Sequence, residues 1–202
     1  MPPRLASIGQ RDRPCVDDPD GALVARARVG DREAFEELVR RHADHVYGVA
    51  RRLGLPGEPA REVTQEAFLR AWRGIGAFKG EARFSTWLYR IAFNESKRRL
   101  ARDPRSAMAA SLDDEGVIDP PDLSGEPHAR VAHDELRAAL ARAVRGLALK
   151  YRAPLILRDI EGLSTAEAAA VLGLGEAAFK SRLHRARLAV RDALREHLDD
   201  RA

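Results

Sequence analysis

Residues 103 to 130 cannot build a core, and this constrains everything around them. They hold seven acids (103, 113, 114, 115, 119, 122 and 126), two arginines (105 and 130), four prolines (104, 120, 121 and 127) and no aromatic residue. Repelling charges and proline favour an extended, solvated chain, so the stretch is expected to be a flexible acidic linker. It splits the 202 residues into two blocks. Residues 1 to 20, with Pro2, Pro3, Pro14 and Pro19, are expected to be a disordered tail. Residues 21 to 102 then form a first domain and 131 to 202 a second.

Both blocks read as helical. In the first, Asp31 is an expected N-cap, and Phe35, Leu38, Val39, Val46, Ala50 and Leu53 follow at helical spacing. A turn is expected over 54–59, a second long helix over 61–73, a glycine-bearing loop over 74–83 and a third helix over 85–102. In the second block, Leu136, Leu140 and Val144 mark one helix. A short helix is expected over 152–160, with Pro154 in its first turn. There is no strand pattern. The expected fold class is all-α: two small helical domains joined by the linker.

The stretch from Gly162 to Arg191 has the grammar of a helix-turn-helix. Ser164 with Glu167 three residues on is a capping box, and Gly173 suits the left-handed position that ends a helix. A second helix is expected from about Glu176. Phe179, Leu183, Ala186 and Val190 form one apolar stripe, with Ser181, His184 and Arg185 roughly opposite. Five cations (180, 182, 185, 187 and 191) face one acid, Glu176. Such a helix docks by its stripe and offers its other face to phosphates and base edges in a major groove. A solvated amphipathic helix is the plainer account. The capping box, the glycine turn and the one-sided charge together favour the recognition helix.

The segment from Phe84 to Leu100 holds four of the eleven aromatics (Phe84, Trp87, Tyr89 and Phe93) and ends near Lys97, Arg98 and Arg99. Rings interleaved with cations suit single-stranded DNA, because unpaired bases stack on rings while cations hold the backbone. On a helix, Phe84, Leu88 and Ile91 share one face, Tyr89, Phe93 and Lys97 lie nearly opposite, and Trp87, Arg90 and Asn94 form a third edge. Phe84 and Trp87 also suit a core. Tyr89 and Phe93 do so only if another helix covers them. The preceding loop, with Phe78, Lys79 and Gly80, is placed to close a pocket for an extruded base.

Net charge is +4, from 35 Lys and Arg against 31 Asp and Glu, which suits a nucleic-acid partner without requiring one. Lysine occurs only at 79, 97, 150 and 180. A single cysteine, Cys15, excludes an internal disulfide and a cysteine-built zinc site. His42 with His45, and His128 with His133, lack a third ligand at a clear spacing, so no metal is expected. No phosphate loop, nucleophile elbow or dinucleotide fingerprint is present, so neither an enzyme nor a bound cofactor is expected. No apolar run is long enough to span a membrane, and no signal-peptide core opens the chain. A cytoplasmic protein without direct membrane insertion is expected.

Five segments, in order, resemble the extracytoplasmic-function group of bacterial RNA polymerase sigma factors. Gly30-Asp31 followed by Ala34-Phe35 opens the first domain. Glu62 to Trp72 is similar to the group's core-binding helix, and Phe84 to Asn94 to its promoter-melting segment. Leu157 to Ser164 and Lys180 to Arg187 are similar to its second domain.

The resemblance implies a sigma factor, responsive to stress or another signal. It would bind core RNA polymerase, direct it to −10 and −35 promoter elements and assist melting. Glu62, Gln65 and Glu66 would face core polymerase, with Phe68 and Trp72 presenting their helix. Phe78, Lys79, Trp87, Arg90, Asn94, Lys97 and Arg98 would serve the −10 element and melting. Lys180, Ser181, Arg182, His184, Arg185 and Arg187 would serve the −35 element. An anti-sigma factor is a further implied partner. Ala177-Ala178-Phe179 stands where the group often has Gly-Thr-Val, which removes a hydroxyl from the DNA face. The alternative from the residues alone is a stand-alone helix-turn-helix regulator, which would need neither the aromatic-basic helix nor the carboxylate helix.

Overall fold

The computed structural model describes residues 18–102 and 127–199. Residues 1–17, with Cys15, and 103–126 of the expected linker lie outside the described residues. Eight α-helices are present among the described residues, and no strand. The first domain contains α1 (Gly21–Arg28), α2 (Arg32–Arg52), α3 (Gly57–Gly74), a 3-10 turn (Ile75–Ala77) and α4 (Phe84–Arg102). The second contains α5 (Pro127–Gly146), α6 (Leu149–Leu155), a π turn (Ile156–Ile160), α7 (Thr165–Leu172) and α8 (Glu176–Asp199). Among the described residues, no helix is long and apolar enough to cross a membrane.

Local chemistry sets the helix starts. The Asp31 carboxylate accepts from Ala34 N–H at 3.0 Å and caps α2. That backbone bond, with Arg26 behind it, holds the carboxyl below the usual carboxylate range. At α7, Ser164 Oγ accepts from Glu167 N–H at 3.2 Å, and Ser164 N–H donates to Glu167 Oε2 at 2.9 Å. Gly173 ends α7 at φ +65°, a conformation that costs glycine little.

Four expectations are corrected. First, Asp18 and Asp20 are not part of a loose tail. Asp18 Oδ2 accepts from Phe84 N–H at 2.8 Å, at the start of α4. Asp20 is buried, with His42 Nε2 at 2.6 Å and Arg41 at 3.4 Å. Second, α3 begins at Gly57 rather than 61. Pro59 falls in its first turn, where its missing N–H has no intrahelical acceptor to lose. Third, α5 begins at Pro127, inside the stretch read as linker, for the same reason. Fourth, α6 starts at Leu149, so Pro154 lies within the helix and not in its first turn. The chain then widens into the π turn, where Glu161 N–H donates to Ile156 O at 2.9 Å.

The two domains are packed against each other. One apolar cluster runs from Leu38, Phe84 and Leu88 of the first domain through Leu157, Ala169 and Phe179 of the second. Tyr89, on the face opposite the first domain's own core, is covered by the second domain and is 6% exposed. The stripe on α8 is fully used: Phe179, Leu183, Ala186 and Val190 are all buried. Burial of a side chain such as Phe179 contributes about 1.5–3 kcal/mol.

Candidate nucleic-acid interface

The α7–α8 unit presents a basic face because its apolar side is spent inward. Lys180, Ser181, His184 and Arg185 are exposed on α8, and Arg182 is half-buried. Lys180 Nζ lies 3.5 Å from Glu176, both side chains being more than half exposed, so this weak pair leaves the lysine available. Arg187 differs. Its guanidinium grips Asp159 of the π turn at 2.9 and 2.6 Å. That bond, the larger cause, raises its pKa further above the usual value. Arg187, expected at the −35 element, is thus also paired within its own domain, with its side chain 55% exposed.

Sequence reasoning missed Lys150 and Tyr151 beside this face. Arg185 reaches the Tyr151 hydroxyl, and Lys150 Nζ lies 5.0 Å from the ring centroid. Arg185 first, then Lys150, lowers the phenol pKa. Tyr151 lies on α6, so the tertiary fold alone brings it to α8.

The second candidate surface lies at the start of α4. Phe78, Phe84 and Trp87 form one aromatic cluster, with Phe78–Trp87 centroids 4.9 Å apart and Phe78 edge-on to Phe84 at 6.4 Å. A cavity of about 220 Å³ opens beside it, lined by Phe78, Lys79, Thr86, Trp87 and Arg90 among others. Phe78 itself is 8% exposed, because its N–H closes the 3-10 turn onto Ile75 O and turns the ring inward. Lys79 and Arg90 are exposed at the rim, and Arg83, which sequence reasoning did not single out, is exposed between them in the chain. Asn94 and Lys97 are exposed farther along α4, and Asn94 does not line the cavity. Arg98 is tied to Glu95 at 2.8 Å.

The third surface is a groove between α2 and α3. Phe35, Val39, Tyr47, Gln65, Leu69 and Trp72 are among the residues lining a cavity of about 670 Å³. Phe68 is buried in its floor and Trp72 packs on Phe35 at 4.9 Å. Glu62 is exposed, 3.5 Å from Arg99. Glu66 is bound to Arg70 at 2.7 Å, and Arg70 also reaches Glu95 at 3.0 Å. Leu69 stands 42% exposed on the groove. Among the described residues, no group of three His, Cys, Asp or Glu side chains is placed to hold a metal ion.

The second domain thus carries a basic helix-turn-helix, and an aromatic, cation-rimmed cavity opens at the start of α4. The Sigma-70 region 2 family matches residues 38–106, and the Sigma-70 region 4 family matches residues 137–190. The RNA polymerase sigma-H factor of Pseudomonas aeruginosa is 35% identical over 181 residues, covering 87% of this chain and 93% of that one. The ECF RNA polymerase sigma factor SigE of Mycolicibacterium smegmatis is 37% identical over 190 residues, covering 92% and 72%. Among solved structures, CnrH in complex with the cytosolic domain of CnrY matches with a TM-score of 0.65 and 28% identity, covering 89% of this chain and 99% of that one.

The chain belongs to the sigma-70 family of RNA polymerase sigma factors, in its extracytoplasmic-function (ECF) group. It directs RNA polymerase to promoters.

Proposed function

We propose that the three surfaces divide the work of initiation. The α2–α3 groove, with Gln65, Leu69 and Trp72 at its wall and Glu62 and Glu66 on its rim, docks core polymerase. The cavity beside Trp87 receives an unpaired base of the −10 element, with Lys79, Arg90 and Lys97 holding the strand backbone. Asn94 reads or positions an adjacent base from its place farther along α4. Lys180, Ser181, His184 and Arg185 meet the −35 duplex, and Arg187 positions α8 through Asp159. The protein catalyses no reaction in this scheme. It supplies binding energy for an open strand, and the polymerase does the chemistry.

One observation carries this reading: two DNA-suited surfaces of opposite design sit on two domains. An aromatic-walled cavity suits a base pulled from its stack, at a cost of a few kcal/mol that the pocket offsets. An exposed basic helix face suits a closed duplex. A stand-alone repressor would need only the second. The likeness to CnrH, whose structure contains the cytosolic domain of a second protein, also supports an anti-sigma factor as a partner of this chain, with release on stress as the signal.

The test is transcription by core polymerase on duplex and pre-melted templates. Asn94→Ala is expected to reduce initiation on the duplex and to matter least on the pre-melted template. Lys180→Ala is expected to weaken both, wherever the −35 element is present. If Asn94→Ala leaves duplex transcription unchanged, its assignment to the melted strand is wrong.

A further inference from the structure

The first turn of α4 has no cap of its own. Trp87 N–H donates to Arg83 O at 3.1 Å, so Arg83 stands where a capping side chain would. A guanidinium carries only donors and cannot accept from the N–H groups left over at a helix start. The first turn of α4 contains no acid either.

The acceptor comes from 66 positions away, where Asp18 Oδ2 accepts from Phe84 N–H at 2.8 Å. The carboxylate charge also falls at the positive end of the α4 dipole. Asp18 is itself fixed. Its Oδ1 accepts from Asp20 N–H at 3.1 Å, and its carbonyl accepts from Gly21 N–H at 2.9 Å. Asp20, buried, is held by α2 through His42 Nε2 at 2.6 Å and Arg41 at 3.4 Å. The His42 ring then lies against that of Phe84, with centroids 5.5 Å apart. The residues just ahead of α1, Asp18 and Asp20, thus tie α2 to the N-terminus of α4.

The cavity beside Trp87 is built on that N-terminus. Thr86, Trp87 and Arg90, from the first two turns of α4, line it together with Phe78 and Lys79 of the loop that enters the helix. Phe84 is fully buried, its ring centroid 5.8 Å from that of Trp87 and 6.4 Å from that of Phe78. A helix start without its cap frays. Fraying here would unseat Phe84, and with it the Trp87 ring that walls the cavity.

We propose that Asp18 caps α4 from across the domain, a positioning residue that holds Trp87 where an unpaired base can meet it. The proposal rests on the reading of the cavity as the site for that base. It makes the segment before α1 part of the machinery that holds the open strand.

The experiment uses the full chain bound to core polymerase and a labelled single strand carrying the −10 sequence found by transcription mapping. Asp18→Ala is expected to bind the strand about 5-fold more weakly, the factor that loss of one cap puts on a helix start. Asp18→Asn keeps an acceptor oxygen and is expected to stay within about 2-fold of the parent. Arg83→Ser supplies a cap at the helix start itself, so Asp18→Ala is expected to weaken binding by less than about 2-fold in that background. Asp31→Ala is the control for a general loss of stability. It removes the cap of α2, where the carboxylate accepts from Ala34 N–H at 3.0 Å, and is expected to leave strand binding unchanged. Core binding, read by native gel, is expected to match the parent in every variant.

Unchanged strand binding in Asp18→Ala, an equal loss in Asp31→Ala, or an undiminished effect of Asp18→Ala beside Arg83→Ser overturns the proposal. Trp87→Ala separates the two readings. If it weakens strand binding and Asp18→Ala does not, the cap falls and the cavity stands. If Trp87→Ala leaves strand binding as it was, the cavity is not the site of the base, and both fall.

Discussion

Arg187 and Asp159 form a two-point contact, Nε to Oδ2 at 2.9 Å and Nη2 to Oδ1 at 2.6 Å, that ties the recognition helix to the π turn. A cation so engaged differs from Lys180, whose nearest acid is 3.5 Å away and exposed. Lys180→Ala is therefore expected to weaken duplex binding across sequences and to lower the salt slope by about 1. Arg187→Ala is expected to leave that slope unchanged, since it removes no phosphate contact. Binding isotherms over a salt series distinguish the two.

Trp87 is half-buried in the aromatic cluster and lines the cavity proposed for an unpaired base. Trp87→Ala is expected to cost about 1–3 kcal/mol of single-strand binding, the range for one base stacked on a ring. Duplex binding by the second domain should stay as it was. Fluorescence anisotropy with single-stranded and duplex probes reads both.

Leu69 lines the α2–α3 groove and is 42% exposed in the free chain. Leu69→Asp is expected to weaken core binding by about 1.5–3 kcal/mol, the loss of one buried leucine. The free protein should melt within about 0.5 kcal/mol of the parent. Native-gel competition for core, paired with a thermal melt, checks both halves.

The Tyr89 phenol is pushed above its usual pKa, chiefly by burial and next by the Glu161 carboxylate beside it. A raised folded pKa means that the native state holds its proton more tightly than the unfolded state does. Stability from this source is complete below the ordinary tyrosine value of 10.0 and falls as pH rises above it. Alkaline unfolding of the parent should show this decline, and Tyr89→Phe should remove the dependence.

The Glu167 carboxyl is held below its usual value, first by the Ser164 hydroxyl and then by Ser164 N–H and Thr86. Its stabilisation is present above the ordinary carboxylate value of 4.5 and is lost as pH falls through the lowered folded value. Ser164→Ala is expected to cost about 1 kcal/mol at neutral pH by removing the helix cap. Part of the acid sensitivity should go with it. Thermal melts at neutral and acid pH measure both effects.

Local chemistry made much of this legible. Asp31, the Ser164–Glu167 box, Gly173 and the Phe179–Val190 stripe act within a few residues of chain, so spacing alone locates them. Tyr89 shows where that ends. Helical geometry placed it opposite its own domain's core, and what covers it is Glu161, 72 positions away. Asp18 and Asp20 misled for a related reason: proline-rich neighbours made them read as tail, whereas Phe84 N–H and His42 hold them. Pro154 misled because a widened turn follows it, and the π turn has no periodic signature in the sequence. At the interface, cations could be found by type, but which were already paired, as Arg187 is, needed the tertiary fold.

The most direct measurement is transcription in vitro by bacterial core polymerase, with and without this chain, on fragmented genomic DNA from its own source. Discrete new transcripts that depend on the chain are expected, and their start sites should lie downstream of two shared elements spaced as −10 and −35. A chain that neither binds core nor starts any transcript would contradict the assignment and favour a stand-alone DNA-binding regulator.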